Sequence, residues 1–80
     1  MIEIYGKPMC PYCDRAKALC EQKDYEYVYK QLGVDFTREE LFEKFPTART
    51  FPQIIINGES IGGYHELEKW LERNSFEEDF

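Results

Sequence analysis

Ile2-Glu3-Ile4-Tyr5, then Gly6-Lys7-Pro8-Met9, then Cys10-Pro11-Tyr12-Cys13: this run near the start of the chain decides how it folds. Apolar and polar residues alternate over positions 2–5, the period of a short strand. Positions 6–9 carry turn formers and read as a loop. Cys10 then takes a cap position. Pro11 takes the first helical position, where its fixed φ fits and its missing N–H costs nothing, and the helix is predicted to run to about Lys23. A Cys-x-x-Cys that opens a helix sets its first sulfur beside N–H groups that have no intrahelical partner, at the positive end of the helix dipole. Both effects favour the thiolate, which is the reactive form of cysteine. The second sulfur, one turn on, falls on the same face and within bridging distance. A strand, a loop and a reactive helix start are therefore predicted from a single segment.

Working outward, Tyr12, Ala16, Leu19 and Cys20 recur at helical spacing and are expected to form the buried stripe of this first helix. Tyr25-Glu26-Tyr27-Val28-Tyr29 is rich in strand formers and predicts a second strand. Thr37-Arg38-Glu39-Glu40 fits a capping box, with Phe36 and Leu41 as the apolar staple around it. The helix it opens should turn Leu41, Phe42 and Phe45 inward and stop at Pro46. Pro52-Gln53-Ile54-Ile55-Ile56 predicts a buried strand, Asn57-Gly58 a hairpin turn, and Glu59-Ser60-Ile61 the returning strand. Gly62-Gly63 breaks that strand, and a last helix over about 64–73 buries Leu67, Trp70 and Leu71. The order β-α-β-α-β-β-α predicts an α/β fold with a mixed four-stranded sheet and three helices on its two faces. Its first two strands should run parallel through a right-handed crossover.

Eighty residues suffice for one domain, spanning 1–80, and six Tyr, six Phe and one Trp can fill its core without covalent staples. Three cysteines is an odd and low count, which argues against a disulfide-stapled secreted domain. No basic leader precedes an apolar run, and nothing nears the roughly 20 apolar residues of a membrane span. A reducing cytoplasm is the expected compartment. Sixteen acidic against ten basic residues give a net charge of −6, which disfavours nucleic acid as a partner. Some of that acid lies in Glu77-Glu78-Asp79, expected to be a solvated tail. Lys7 and Arg15 flank the cysteine pair and Arg49 adjoins the segment before Pro52, so the reactive face is expected to be locally positive.

Three segments carry a resemblance: Lys7-Pro8-Met9-Cys10-Pro11-Tyr12-Cys13, Arg49-Thr50-Phe51-Pro52-Gln53-Ile54-Ile55-Ile56-Asn57-Gly58, and Ile61-Gly62-Gly63-Tyr64. In this order and spacing they resemble the dithiol glutaredoxins, a family with the thioredoxin-like fold. The resemblance implies that Cys10 is the nucleophile, its sulfur taking N–H bonds from Tyr12 and Cys13, and that Cys13 is the resolving thiol. It also implies a cis bond at Phe51-Pro52, where relatives generally carry a small aliphatic residue in place of Phe51.

The implied co-substrate is glutathione. Lys7 would face its glycine carboxylate, and Tyr12 would wall the disulfide. Thr50 and Phe51 would hold the cysteinyl backbone as an added strand, the kink at Pro52 turning the Phe51 N–H and C=O outward. Gly63, Tyr64, His65 and Glu66 would offer the last helix's free N–H groups to the γ-glutamyl carboxylate, with Glu66 accepting from its ammonium group. His65, the only histidine, is expected as a helix-start residue and not as a general acid. Cys20 reads as a small core residue. Implied partners are disulfide-containing or glutathionylated proteins, ribonucleotide reductase among them, with glutathione reductase recycling the oxidised glutathione; a monomer is expected, with neither nucleic acid nor membrane as partner. Two other readings stand beside this one. One is a thioredoxin-type reductant fed by a flavoprotein reductase. The other is a metal or iron–sulfur module, although no metal is expected, because Pro11 resembles the members that hold no cluster.

Overall fold

β1 (Ile2–Gly6) must be central, because it is buried on both faces of its pleat: Ile2 and Ile4 on one side, Tyr5 on the other. In the computed structural model, which describes residues 1–48 and 50–76, it lies between β2 (Tyr27–Gln31) and β3 (Gln53–Ile56). Arg49 and the acidic tail at 77–79 lie outside the described residues. β1 runs parallel to β2, with Ile2 opposite Tyr27, and antiparallel to β3, with Ile4 opposite Ile54. β3 turns at Asn57-Gly58 into antiparallel β4 (Glu59–Gly62), giving the order β2-β1-β3-β4. Both turn residues have positive φ, 53° and 84°, as a type I′ hairpin turn requires.

Three helices cover the sheet: α1 (Pro11–Gln22), α2 (Arg38–Lys44) and α3 (Tyr64–Phe76). Side-chain alternation along the strands decides which face each helix covers. Ile2, Ile4, Ile54 and Ile56 pack with Ala16 and Cys20 of α1 and with Leu67 and Leu71 of α3. The opposite pleat sends Tyr5 against Phe36, Leu41 and Phe45 around α2, with Ile55 at the edge of that cluster. Tyr5 meets Phe36 and Phe45 edge-on, at ring separations of 5.2 and 5.3 Å. Each fully buried Leu or Ile stabilises the fold by about 1.5–3 kcal/mol relative to exposure. The expected α/β architecture, thioredoxin-like with three helices and a mixed sheet, is the one found.

Three local expectations need correction. Tyr12 is 44 % exposed and Cys13 takes its place on the buried stripe, because Cys13, Ala16 and Cys20 share one helix face at i, i+3 and i+7 while Tyr12 turns to the Tyr64 and His65 rings. Phe42 is 46 % exposed, since Leu41 and Phe45 already fill the space under α2. β2 starts two residues later than the run of strand formers: the Tyr25 N–H bonds the Cys20 carbonyl at 2.9 Å and finishes α1 instead. Among the described residues, no helix is long and apolar enough to cross a membrane.

Candidate active site

Cys10 is the N-cap of α1, with extended backbone (φ −121°, ψ 101°) and Pro11 in the first helical turn behind it. Its Sγ accepts the Cys13 N–H at 3.2 Å. Of the two N–H groups expected to reach that sulfur, the Cys13 group does and the Tyr12 group does not. The Cys10 carbonyl takes the Asp14 N–H at 3.2 Å, which begins the helical ladder. Cys10 and Cys13 are joined as a disulfide, their Cα atoms 5.2 Å apart, within the usual range for such a bridge. Cys10 keeps 7 % of its surface exposed and Cys13 none. One sulfur is at the rim and the other beneath it.

A cleft of about 200 Å³ opens beside this pair, lined by Tyr12, Thr50, Phe51, Gly63, Tyr64, His65 and Glu66. These are seven of the nine residues expected to face a ligand, and they come from three separate parts of the chain. Pro52 lies buried beneath the cleft, after a cis bond from Phe51. Lys7 is exposed and reaches over the lip, its Nζ 5.5 Å from the centre of the Phe51 ring.

One wall is aromatic. Tyr12, Tyr64 and His65 approach one another pairwise, with ring separations of 5.4, 5.5 and 5.7 Å. The Arg15 guanidinium lies 5.2 Å from the Tyr12 ring centre, so the exposed ring has a cation at its face. With Lys7, this is the positive charge that the described residues bring to the site. The opposite end is the start of α3, where Gly63 is the cap residue. Glu66 Oε1 accepts the Gly63 N–H at 2.7 Å, leaving the second carboxylate oxygen for another partner. Gly62 adopts φ 116°, and a Cβ there would come within 2.8 Å of the Glu66 side chain, so only glycine suits this approach.

Gln53 is a positioning residue that the sequence reading passed over. Its side-chain amide donates to the Thr50 carbonyl at 2.7 Å and is itself buried, so it pins the loop that forms the cleft floor. The available signal was a lone amide at the head of the apolar run Gln53-Ile54-Ile55-Ile56. A larger, open cleft of about 470 Å³ adjoins across Thr50, Gly63 and Glu66; Tyr12, the residue between the two cysteines, lines the smaller cleft and not this one.

Cys20 belongs to different surroundings. It is fully buried between α1 and the sheet, and burial first, then Glu21, push its thiol up to about 11. Such a group stays protonated and inert at neutral pH. Among the described residues, no group of three or more His, Cys, Asp or Glu side chains is arranged to hold a metal ion.

Comparison with known proteins gives a consistent answer. The family model described as Glutaredoxin matches residues 2–61. Glutaredoxin 1 of Escherichia coli is 36% identical over 78 residues, covering 89% of this chain and 92% of its own. The solved structure of reduced Escherichia coli glutaredoxin superposes with a TM-score of 0.74 at 35% identity, over 91% of this chain and 94% of the other. A buckwheat glutaredoxin–glutathione complex has a TM-score of 0.72 at 25% identity, over 94% of this chain and 69% of the other.

Proposed function

The chain belongs to the glutaredoxin family of thiol–disulfide oxidoreductases, and on that premise we propose that glutathione is its electron donor and binds the cleft between Tyr12 and Glu66. The observation that carries this reading is the junction of a helix-capping disulfide with a cleft whose far end is a helix N-terminus. Glutathione has a thiol to meet the first and a carboxylate to meet the second. A relative solved as a complex with glutathione supports the same choice.

In the cycle, Cys10 thiolate attacks one sulfur of a substrate disulfide. A Cys10–substrate bond forms as the substrate's own bond breaks, and the second substrate sulfur leaves as a thiolate that takes up a proton. Cys13, deprotonated, then attacks Cys10 Sγ, releasing the other substrate thiol and closing the Cys10–Cys13 bond. A first glutathione thiolate reopens that bond at Cys10, giving a Cys10–glutathione disulfide and a free Cys13 thiol. A second glutathione attacks the bound one, leaving as oxidised glutathione and restoring Cys10 thiolate. Two electrons pass from two glutathiones to one disulfide. For a glutathionylated substrate, Cys10 attacks the glutathione sulfur, the protein thiol departs, and Cys13 is not needed.

The residues divide this work by position. The Cys13 N–H and the dipole of α1 stabilise negative charge on Cys10 Sγ, both as attacking and as departing thiolate. Tyr12 and Phe51 form the walls, Thr50 and Phe51 offer backbone to the cysteinyl unit, and Lys7 takes the glycine carboxylate. The free N–H groups at the start of α3, from Tyr64 to Glu66, take the γ-glutamyl carboxylate, with Gly63 letting the ligand approach the backbone and the Tyr64 and His65 rings closing the side. Disulfide-bearing and glutathionylated cytoplasmic proteins are the proposed substrates, with ribonucleotide reductase among them and the enzyme acting as a monomer.

Reduction of a small glutathione mixed disulfide, driven by glutathione and glutathione reductase, tests this directly. Wild type should turn over, Cys10→Ser should not, and Cys13→Ser should retain mixed-disulfide reduction within about a factor of ten while losing dithiol reduction of protein disulfides. Reduction by thioredoxin reductase but not by glutathione would overturn the donor assignment.

A further inference from the structure

Lys7 and Phe51 come from different loops, one before α1 and one before β3, yet they meet at the lip of the ligand cleft. The lysine is exposed, and a free lysine chain spreads its charge over many rotamers. The phenylalanine is not free. Its ring packs against the cluster of Tyr5, Phe36, Leu41 and Phe45, so its face has a fixed direction. The residue lines both the ligand cleft and a hollow of about 80 Å³ beside Arg38 and Phe42. The Lys7 ammonium lies over its ring, 5.5 Å from the centre. A cation at that distance from a ring face is held by the ring quadrupole.

We propose that Phe51 is the positioning residue for Lys7: its ring holds the ammonium at the cleft lip, where that charge selects ligands carrying a carboxylate beyond the cysteinyl unit. This deepens the glutathione reading and rests on it. A small aliphatic side chain in its place would leave Lys7 without a seat, and the carboxylate would then meet a mobile charge. The consequence is specificity in binding and not in the sulfur chemistry, so it belongs to KM more than to kcat.

The test compares mixed disulfides of glutathione with those of its glycine ethyl ester, which keeps the shape and removes the charge. Wild type should favour the acid by about two- to fivefold, the scale of one exposed cation contact, through KM. Phe51→Leu keeps apolar packing but has no ring face; it should lose that preference, as Lys7→Gln does. Phe51→Tyr keeps the ring and should restore it. Should Phe51→Leu fail to fold by circular dichroism, Phe51→Met makes the same comparison. A Phe51→Leu enzyme that keeps the full preference while Lys7→Gln loses it would overturn the proposal, as would a wild type without preference. A wild type inactive toward both esters and acids of glutathione would instead remove the underlying ligand assignment.

Discussion

Helices α1 and α2 begin in nearly the same way and to different ends. Each starts from an extended residue whose side chain accepts an N–H three residues on: Cys10 Sγ from Cys13 at 3.2 Å, Thr37 Oγ1 from Glu40 at 3.1 Å. In α2 the third helical residue answers in kind, Glu40 Oε1 taking the Thr37 N–H at 2.8 Å, and the box is complete. In α1 that answering position holds Cys13, which returns a covalent bond to the cap. The geometry of a helix start is thus generic, and the atom placed in it decides between stability and reactivity. An oxygen there anchors a helix; a sulfur there can also lose a proton and exchange partners.

The sharpest break of this likeness is Cys10→Ser. Serine caps a helix well, so the melting temperature of the reduced protein should hardly move, while turnover falls on the order of a thousandfold or more, as when a catalytic nucleophile is removed. Loss of the fold along with activity would mean that the sulfur is needed for the cap itself. A second contrast lies further along α1, at Cys20. Its native thiol sits near 11 against an ordinary 9.0, so the unfolded chain ionises first. Stability from this group is complete below pH 9, is lost as pH rises toward 11, and totals up to about 2–3 kcal/mol. Urea melts of wild type and Cys20→Ala should therefore converge over that interval; a constant gap between them would contradict the assignment.

Transplanting the sulfur gives a smaller effect. Thr37→Cys would set a thiol at an equivalent cap, but with Glu39 and Glu40 in the first turn. Their charge opposes a thiolate, so alkylation of the new thiol in a Cys10→Ser background should run about tenfold slower than that of Cys10 in reduced wild type. Equal rates would mean that the cap alone sets reactivity. The smallest change is Thr37→Ala, which removes one cap and should cost about 1 kcal/mol, lowering the melting temperature by about 4–8 °C. Turnover should be retained, since α2 bears none of the sulfur chemistry.

These caps were also the most legible parts of the sequence. Thr37 with Glu40, Asn57 with Gly58, and Cys10 with Pro11 each carry a local physical signature, and each stands in the structure as read. Tertiary demands were not legible in the same way. Tyr25 has the composition of a strand residue, yet its ring meets Trp70 at 5.8 Å and its N–H closes the end of α1. Helical spacing put Tyr12 on the buried stripe, yet Cys13 lies there and Tyr12 packs outside it against the Tyr64 and His65 rings. The cleft residues were readable as a set through family resemblance. The seating of Lys7 on Phe51 and the pinning of Thr50 by Gln53 were not, because both depend on loops meeting in space.

The interior seat of Cys20 also protects the fidelity of each catalytic round. An odd third thiol normally invites scrambling, since any two of three sulfurs can pair. Here the stray one is sealed in the core and follows Cys13 by seven residues, about 10 Å along the helix axis, well past the Cα separation a bridge can span. Oxidation of a single molecule therefore has one outcome, and no isomerase is required to correct it.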